Sequence, residues 1–307
     1  MTAPRERPER LPPYLRAQER SARTSLREIL DDGVLVLPGV ADAITARIAE
    51  RAGYRACYVT GSGLANARYG MADLGLTGLS EIVDQVYRLA GAVALPLVAD
   101  ADTGYGNAIA VMHAVAELER AGASAVQIED QTFPKRCGHF DHKGVIPTEE
   151  MEQKVRAAVR ARADPRTLIV ARTDARAVLG FTECVERGKR YAEAGADVIF
   201  IEAPQTVEEL ERIPRLLNGV PVMTNVVDGG RTPVLSVAEF EQMGYAIVLY
   251  ANVALRAAIA AVRSVLTDLR ESGDSRKLDG RIASWEERQD LVFLAAVEEI
   301  EREIAAP

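Results

Sequence analysis

ERAGYRACYV (50–59), ERAGASAVQI (119–128), AEAGADVIFI (192–201) and EQMGYAIVLY (241–250) are four versions of one join. Each ends a helical pattern, passes a glycine and enters a short β-branched, apolar run. Glycine at that point is what a left-handed helix C-cap requires, because a side chain there would clash with the backbone. Four copies argue for one repeated βα unit. Working outward, near-continuous apolar runs recur at 34–40, 56–61, 96–102, 125–130, 167–173, 198–203, 220–226 and 246–251. Runs that do not alternate polar with apolar suit parallel strands buried on both faces. Helical patterns lie between them. Eight strands alternating with helices predict a (β/α)8 barrel, an architecture that takes about 250 residues. An open doubly wound sheet is the competitor, but no GxGxxG turn follows the first strand.

The barrel accounts for residues 26–270 of 307, leaving an N-terminal arm over 1–25 and a helical extension over 271–307. Two helical patterns, 252–273 and 284–304, follow the last strand where a plain barrel needs one. The second carries an apolar stripe of Leu291, Phe293, Leu294, Val297 and Ile300, and a neighbouring subunit is the expected place for it.

Composition narrows the function. With 37 basic against 45 acidic residues and no basic patch interleaved with aromatics, the chain does not read as a nucleic-acid binder. No apolar run reaches the roughly 18 residues that suggest a membrane span. The arm is arginine-rich but holds Glu6, Glu9 and Glu19 and no apolar core, so it is not a secretory signal. Three cysteines, Cys57, Cys137 and Cys184, form no CxxC pair, which fits a reducing, cytoplasmic setting. Cys57 and Cys184 fall in a strand and a helix start and read as structural.

In such barrels chemistry gathers at the C-terminal ends of the strands. Here those ends are polar: Thr60, Gly61 and Ser62; Asp100 and Asp102; Glu129 and Asp130; Arg172, Thr173 and Asp174; Glu202; Thr224 and Asn225. Buried charge is expensive unless paired or metal-bound, so packing does not explain this ring. Asp100 and Asp102, spaced i, i+2 along a strand, are expected on one face. With Glu129 they make three hard oxygen donors, suited to Mg2+ or Mn2+ rather than zinc. The segment QTFPKRCGHFDHKGVIP (131–147) is long for a βα loop, and such loops are usually lids or binding loops. It sets Cys137 beside Lys135, Arg136 and His139, where neighbouring cations lower a thiol pKa and make it reactive. A Cys–His hydrolase would use the same residues, but would leave the carboxylate ring without work.

PKRCGH (134–139) resembles the signature loop of the isocitrate lyase/phosphoenolpyruvate mutase superfamily. The resemblance continues in order through TGSG (60–63), ADLGL (72–76), DADTGYGNA (100–108), IEDQ (128–131), ARTDA (171–175), EAP (202–204) and TNVVDGGRTP (224–233). Within it the chain is similar to the short bacterial branch of methylisocitrate lyases, 2,3-dimethylmalate and other 2-alkylmalate lyases, and carboxyphosphonoenolpyruvate phosphonomutase. The resemblance implies a Mg2+ site at Asp100 and Asp102, with Asp73 and Glu129 acting through water. It implies that Tyr58, Thr60, Gly61 and Ser62 grip a 2-oxo acid, with Gly138, Glu202 and Asn225 on the substrate side. Arg172 would stand near the forming oxo oxygen, and Cys137 would be the general acid on a gating loop shared with Lys135 and His139. It also implies a homotetramer of helix-swapped dimers.

The implied activity is carbon–carbon cleavage of a 2-hydroxy di- or tricarboxylate to a 2-oxo acid such as pyruvate plus a carboxylic acid. Alternatives are the phosphonomutase reaction and hydrolysis or decarboxylation of oxaloacetate. Two residues pull the substrate reading apart. Val227 stands where methylisocitrate lyases place a hydroxyl residue, which favours a dicarboxylate bearing alkyl groups. Arg256 stands where they place an arginine for a distal carboxylate. The Tyr-Pro usual after strand eight has become Tyr250-Ala251, with Asn252 next.

Overall fold

The fold is described from a computed structural model, over residues 11–15, 25–136, 138 and 143–306. Eight parallel strands form a closed barrel in sequential order: β1 (Leu35–Val40), β2 (Cys57–Val59), β3 (Leu97–Asp100), β4 (Ala125–Glu129), β5 (Leu168–Thr173), β6 (Val198–Ile201), β7 (Val222–Asn225) and β8 (Ile247–Tyr250). Leu35 pairs with Ile247 and Leu37 with Leu249, so the last strand closes onto the first and the open-sheet alternative falls away.

The helices are α1 (Leu26–Asp31), α2 (Ala43–Arg51), α3 (Gly61–Tyr69), α4 (Leu79–Ala92), α5 (Ala108–Ala121), α6 (Thr148–Ala161), α7 (Ala175–Leu179), α8 (Phe181–Glu193), α9 (Val207–Leu216), α10 (Val237–Met243), α11 (Val253–Ser272), α12 (Trp285–Leu291) and α13 (Leu294–Ala305). The four joins behave as expected. Gly53, Gly122, Gly195 and Gly244 all take positive φ, between 85° and 110°, and turn the chain from helix to strand.

Two layers of core result. The barrel interior is filled by Leu37, Tyr58, Val98, Val170, Phe200 and Leu249 among others, with Leu26 and Ile29 of α1 joining this cluster. The second layer lies between the strands and the surrounding helices.

The C-terminal extension departs from the expected single helix. Phe293 sits at φ 60°, in the left-handed region, and divides 284–304 into α12 and α13. Part of the stripe assigned to a neighbour packs on its own chain. Leu291 is buried, and its carbonyl accepts from Arg47 of α2 at 2.8 Å. The Arg47 guanidinium lies 5.3 Å from the Tyr14 ring and 4.9 Å from the Phe293 ring. By contrast α11 and α13 bury no residue within this chain. Among the described residues no helix is long and apolar enough to cross a membrane.

Candidate active site

The polar strand ends converge on one cavity. It is lined by Tyr58, Thr60 and Ser62 from the β2 end, Asp100, Glu129, Arg172, Glu202 and Asn225 from the next five strands, and Val227, Leu249, Ala251 and Asn252 on the far wall. Asp73, Lys135, Arg136 and Gly138 complete it from loops.

Asp100, at the end of β3, is held by three donors. Its Oδ2 accepts from Gly61 N at 3.3 Å, and its Oδ1 accepts from Asp102 N at 3.2 Å and Gln127 Nε2 at 3.4 Å. Burial, followed by the Asp100 carboxylate, pushes the Tyr58 hydroxyl pKa well up. Asp102 does reach the same cluster, but not for the expected reason. The strand ends at Asp100, and Asp102 lies in the following turn at φ 46°. A non-glycine residue in that region is strained, and such strain concentrates at functional sites. Gly61 lets the two carboxylates approach, because a Cβ there would stand 3.1 Å from Asp100 Oδ2 and 3.4 Å from Asp102 Oδ1.

Lys135 Nζ contacts Asp73 Oδ1 at 2.5 Å and Asp102 Oδ1 at 2.8 Å. Burial alone would lower its pKa, but Asp102, Asp100, Asp73 and Glu129 together push it up. Lys135 is therefore a fixed cation facing the carboxylates. The Asp102 carboxyl is raised to about 7, chiefly by burial, against the pull of Lys135. Burial likewise drives Glu129 well above the carboxylate range although Arg172 draws it down.

Arg172 is the hub. Its Nε lies 3.2 Å from Glu129 Oε2 and donates to Asp174 Oδ2 at 2.9 Å; its Nη1 lies 3.1 Å from Glu202 Oε2. The guanidinium rests 5.3 Å above the Phe200 ring. Gly138 presses on this hub, since an added Cβ would meet Arg172 Nη2 at 2.5 Å and Glu202 Cγ at 2.6 Å. Lys143 Nζ donates to the Gly138 carbonyl and to Asp174 Oδ1, the latter at 2.6 Å. The Lys143–Asp174 pair thus ties the loop to Arg172; sequence reasoning missed it, because a lone lysine in a glycine-containing loop carries no motif. Cys137, His139 and His142 lie outside the described residues.

Arg256 is not where the resemblance put it. It donates to the Asp228 carbonyl at 2.9 Å, stands half exposed, and is absent from the cavity wall. Cys57 and Cys184 are buried, and burial pushes both thiols up to about 12, which fits a structural role. His113 is exposed on α5.

The donor set suits a hard divalent cation. Six carboxylates (Asp73, Asp100, Asp102, Glu129, Asp174 and Glu202) stand at or beside the cavity with four cations, Lys135, Arg136, Lys143 and Arg172. One of the oxygens, Glu129 Oε1, is buried without a hydrogen bond. As they stand, no three carboxylate, imidazole or thiolate groups among the described residues are arranged to hold a metal. Two of the four expected metal-site carboxylates, Asp73 and Asp102, are drawn onto Lys135 instead.

A closed parallel barrel with an acidic, arginine-centred site at the strand ends is the arrangement of a (β/α)8 enzyme. Comparison with known proteins narrows this. The phosphoenolpyruvate phosphomutase family model matches residues 26–270. A 2,3-dimethylmalate lyase from Eubacterium barkeri is 40% identical over 281 residues, 91% of this chain and 97% of that one. A 2-methylisocitrate lyase from Aeropyrum pernix is 41% identical over 281 residues, 91% of this chain and 90% of that one. Among solved structures, oxaloacetate acetylhydrolase with 3,3-difluorooxalacetate superposes with a TM-score of 0.88 at 32% identity, covering 95% of this chain and 99% of that one. The structure of 2,3-dimethylmalate lyase, described as a PEP mutase/isocitrate lyase superfamily member, gives 0.86 at 34%, covering 93% and 96%. Phosphonopyruvate hydrolase complexed with oxalate and Mg++ gives 0.82 at 35%, covering 91% and 97%. The chain belongs to the phosphoenolpyruvate phosphomutase family and is an enzyme of the isocitrate lyase/PEP mutase superfamily.

Proposed function

We propose that this enzyme is a carbon–carbon lyase that cleaves a 2-hydroxy dicarboxylate carrying alkyl groups, of the 2-alkylmalate or 2,3-dimethylmalate type. The products are a 2-oxo acid such as pyruvate and a carboxylic acid. The observation that carries this reading is the makeup of the cavity. One side offers Arg172 among carboxylates, for a hydroxy acid; the other offers Val227, Leu249 and Ala251, for alkyl substituents. A tricarboxylate of the methylisocitrate type is disfavoured because Arg256 is turned onto Asp228.

The reaction needs a proton to leave the C2 hydroxyl and another to reach the departing carbon. Arg172 favours negative charge on the C2 oxygen, and Glu129, beside it, accepts the first proton in its ionised form, its raised pKa making that form the stronger base. The C2–C3 bond breaks, its electron pair moves onto C3, and the C2 oxygen becomes the carbonyl of the 2-oxo acid. Cys137 delivers the second proton, to C3. Gly138, closed on Arg172 and Glu202, shields the carbanion from water. Asp100 and Asp102, with Asp73 and Glu129, would hold Mg2+, or Mn2+ as the alternative; the similar phosphonopyruvate hydrolase was solved with Mg++. When bound, the cation would act as a Lewis acid on the hydroxy acid.

The test is release of 2-oxo acid, coupled to NADH oxidation, from 2,3-dimethylmalate, citramalate and 2-methylisocitrate with Mg2+, beside direct assay of oxalate and acetate from oxaloacetate. Turnover of a 2-hydroxy dicarboxylate is expected. Turnover of oxaloacetate alone, to oxalate and acetate, would make it a hydrolase. The exposed face of α11 extends the proposal to a homotetramer, in which a second copy covers that face.

A further inference from the structure

We infer that Asn252 is the residue that recognises the second carboxylate of the substrate, by an amide N–H instead of a guanidinium. This rests on the lyase reading of the same cavity and adds to it the group that sets the size and charge of the acid accepted.

Three observations carry the inference. Asn252 is the N-cap residue of α11, a position where asparagine ordinarily accepts from the first-turn N–H groups, yet its side chain makes no capping bond. It is turned into the cavity instead, where it is the polar member of a wall otherwise made by Val227, Leu249 and Ala251. Its orientation is set by a short chain of hydroxyls. Thr60 Oγ1 accepts from Gly63 N at 3.1 Å and lies 3.0 Å from Ser62 Oγ, and Ser62 Oγ donates to Asn252 Oδ1 at 3.2 Å.

An amide whose oxygen is already occupied presents its NH2. Two N–H donors in the cavity that Arg172 also lines can meet a carboxylate while leaving the apolar wall for alkyl groups. The guanidinium that would hold a third carboxylate, Arg256, is committed to the Asp228 carbonyl outside the cavity. Selectivity then follows from what is left unpaired. An acid lacking the second carboxylate leaves the Asn252 donors unsatisfied, and a longer tricarboxylate finds Arg256 turned away onto the Asp228 carbonyl.

Asn252→Leu and Asn252→Asp test this. The site is half exposed and neither substitution loses a capping bond, so both variants are expected to fold. With the 2-hydroxy dicarboxylate turned over by the wild type, Asn252→Leu is expected to raise KM about tenfold with kcat within about threefold, as loss of one hydrogen bond to a charged group implies. Asn252→Asp, which sets like charges together, is expected to raise KM further. Calorimetric binding of malate and lactate gives a readout independent of turnover. The wild type is expected to prefer malate, and Asn252→Leu to lose about tenfold of that preference while lactate binding stays unchanged. An unchanged KM and an unchanged malate–lactate preference in Asn252→Leu would overturn the inference, as would a larger KM rise in Arg256→Ala than in Asn252→Leu. If the wild type cleaves no 2-hydroxy acid, the lyase reading has failed, and the malate–lactate comparison still decides the role of Asn252.

Discussion

Gly138 is where the loop meets the chemistry, and its lack of a side chain is what permits the contact. A methyl group there would sit 2.5 Å from Arg172 Nη2. Gly138→Ala is therefore expected to lower kcat/KM about 100-fold, the scale of a 1 Å misplacement of a catalytic group, with little change in thermal stability. Activity within a few-fold of wild type would mean the loop closes elsewhere. Cys137→Ser is expected to abolish turnover while a 2-oxo acid still binds in calorimetry; retained turnover would remove the thiol from the mechanism. At this scale the sequence was legible where residue type limits the chemistry. Asp100, Glu129, Arg172, Glu202 and Asn225 meet in one cavity because they end consecutive barrel strands. It was not legible where a long side chain chooses its partner. Nothing in the local sequence tells that Arg256 turns to Asp228, or that Lys135 faces Asp73 and Asp102.

The β5–α7 junction holds Arg172 in place through a buried set of charges. Asp130 accepts from Asp174 N at 2.9 Å, Thr173 Oγ1 at 2.7 Å, Tyr191 Oη at 2.8 Å and Arg187 Nη1 at 3.0 Å. Burial pushes the Asp174 carboxyl up, but Arg172 and Lys143 more than offset this and hold it at about 2. The ordinary value is about 3.9, so the folded state binds fewer protons than the unfolded state between those values. Stability is then present above about pH 4 and is lost as pH falls toward 2, a contribution of about 2–3 kcal/mol. Asp174→Asn leaves Arg172 and Lys143 uncompensated and is expected to cost about 3–5 kcal/mol at pH 7. In urea titrations its deficit should narrow between pH 4 and 2; parallel pH curves for variant and wild type would contradict the assignment. The repeating elements were readable because a glycine C-cap and a doubly buried strand each leave a local signature. Helix α3 was not, since its sequence GSGLANARY has two glycines among its first three residues and is started by the Thr60 cap, whose side chain accepts from Gly63 N. The break at Phe293 was not readable either, because a left-handed phenylalanine is imposed by packing around Arg47.

Over the whole molecule, the barrel buries its own core but leaves α11 bare. Val262 is 54% and Leu266 58% exposed, and both lie on the helix that follows the last strand. The proposed tetramer covers this face, so Val262→Glu/Leu266→Glu is expected to lower the mass measured by light scattering without lowering the unfolding temperature of the released subunit below the assay range. An unchanged mass would place the interface elsewhere. The central claim is cleavage of a 2-hydroxy dicarboxylate with protonation of the departing carbon inside a closed site. Its most direct test is NMR analysis of the products of 2,3-dimethylmalate, or of the 2-alkylmalate the enzyme prefers, in D2O with Mg2+. Equimolar pyruvate and propionate are expected, the propionate carrying one solvent-derived deuterium at C2. Failure to cleave any 2-hydroxy dicarboxylate, with oxaloacetate converted to oxalate and acetate or a phosphono acid rearranged instead, would contradict it.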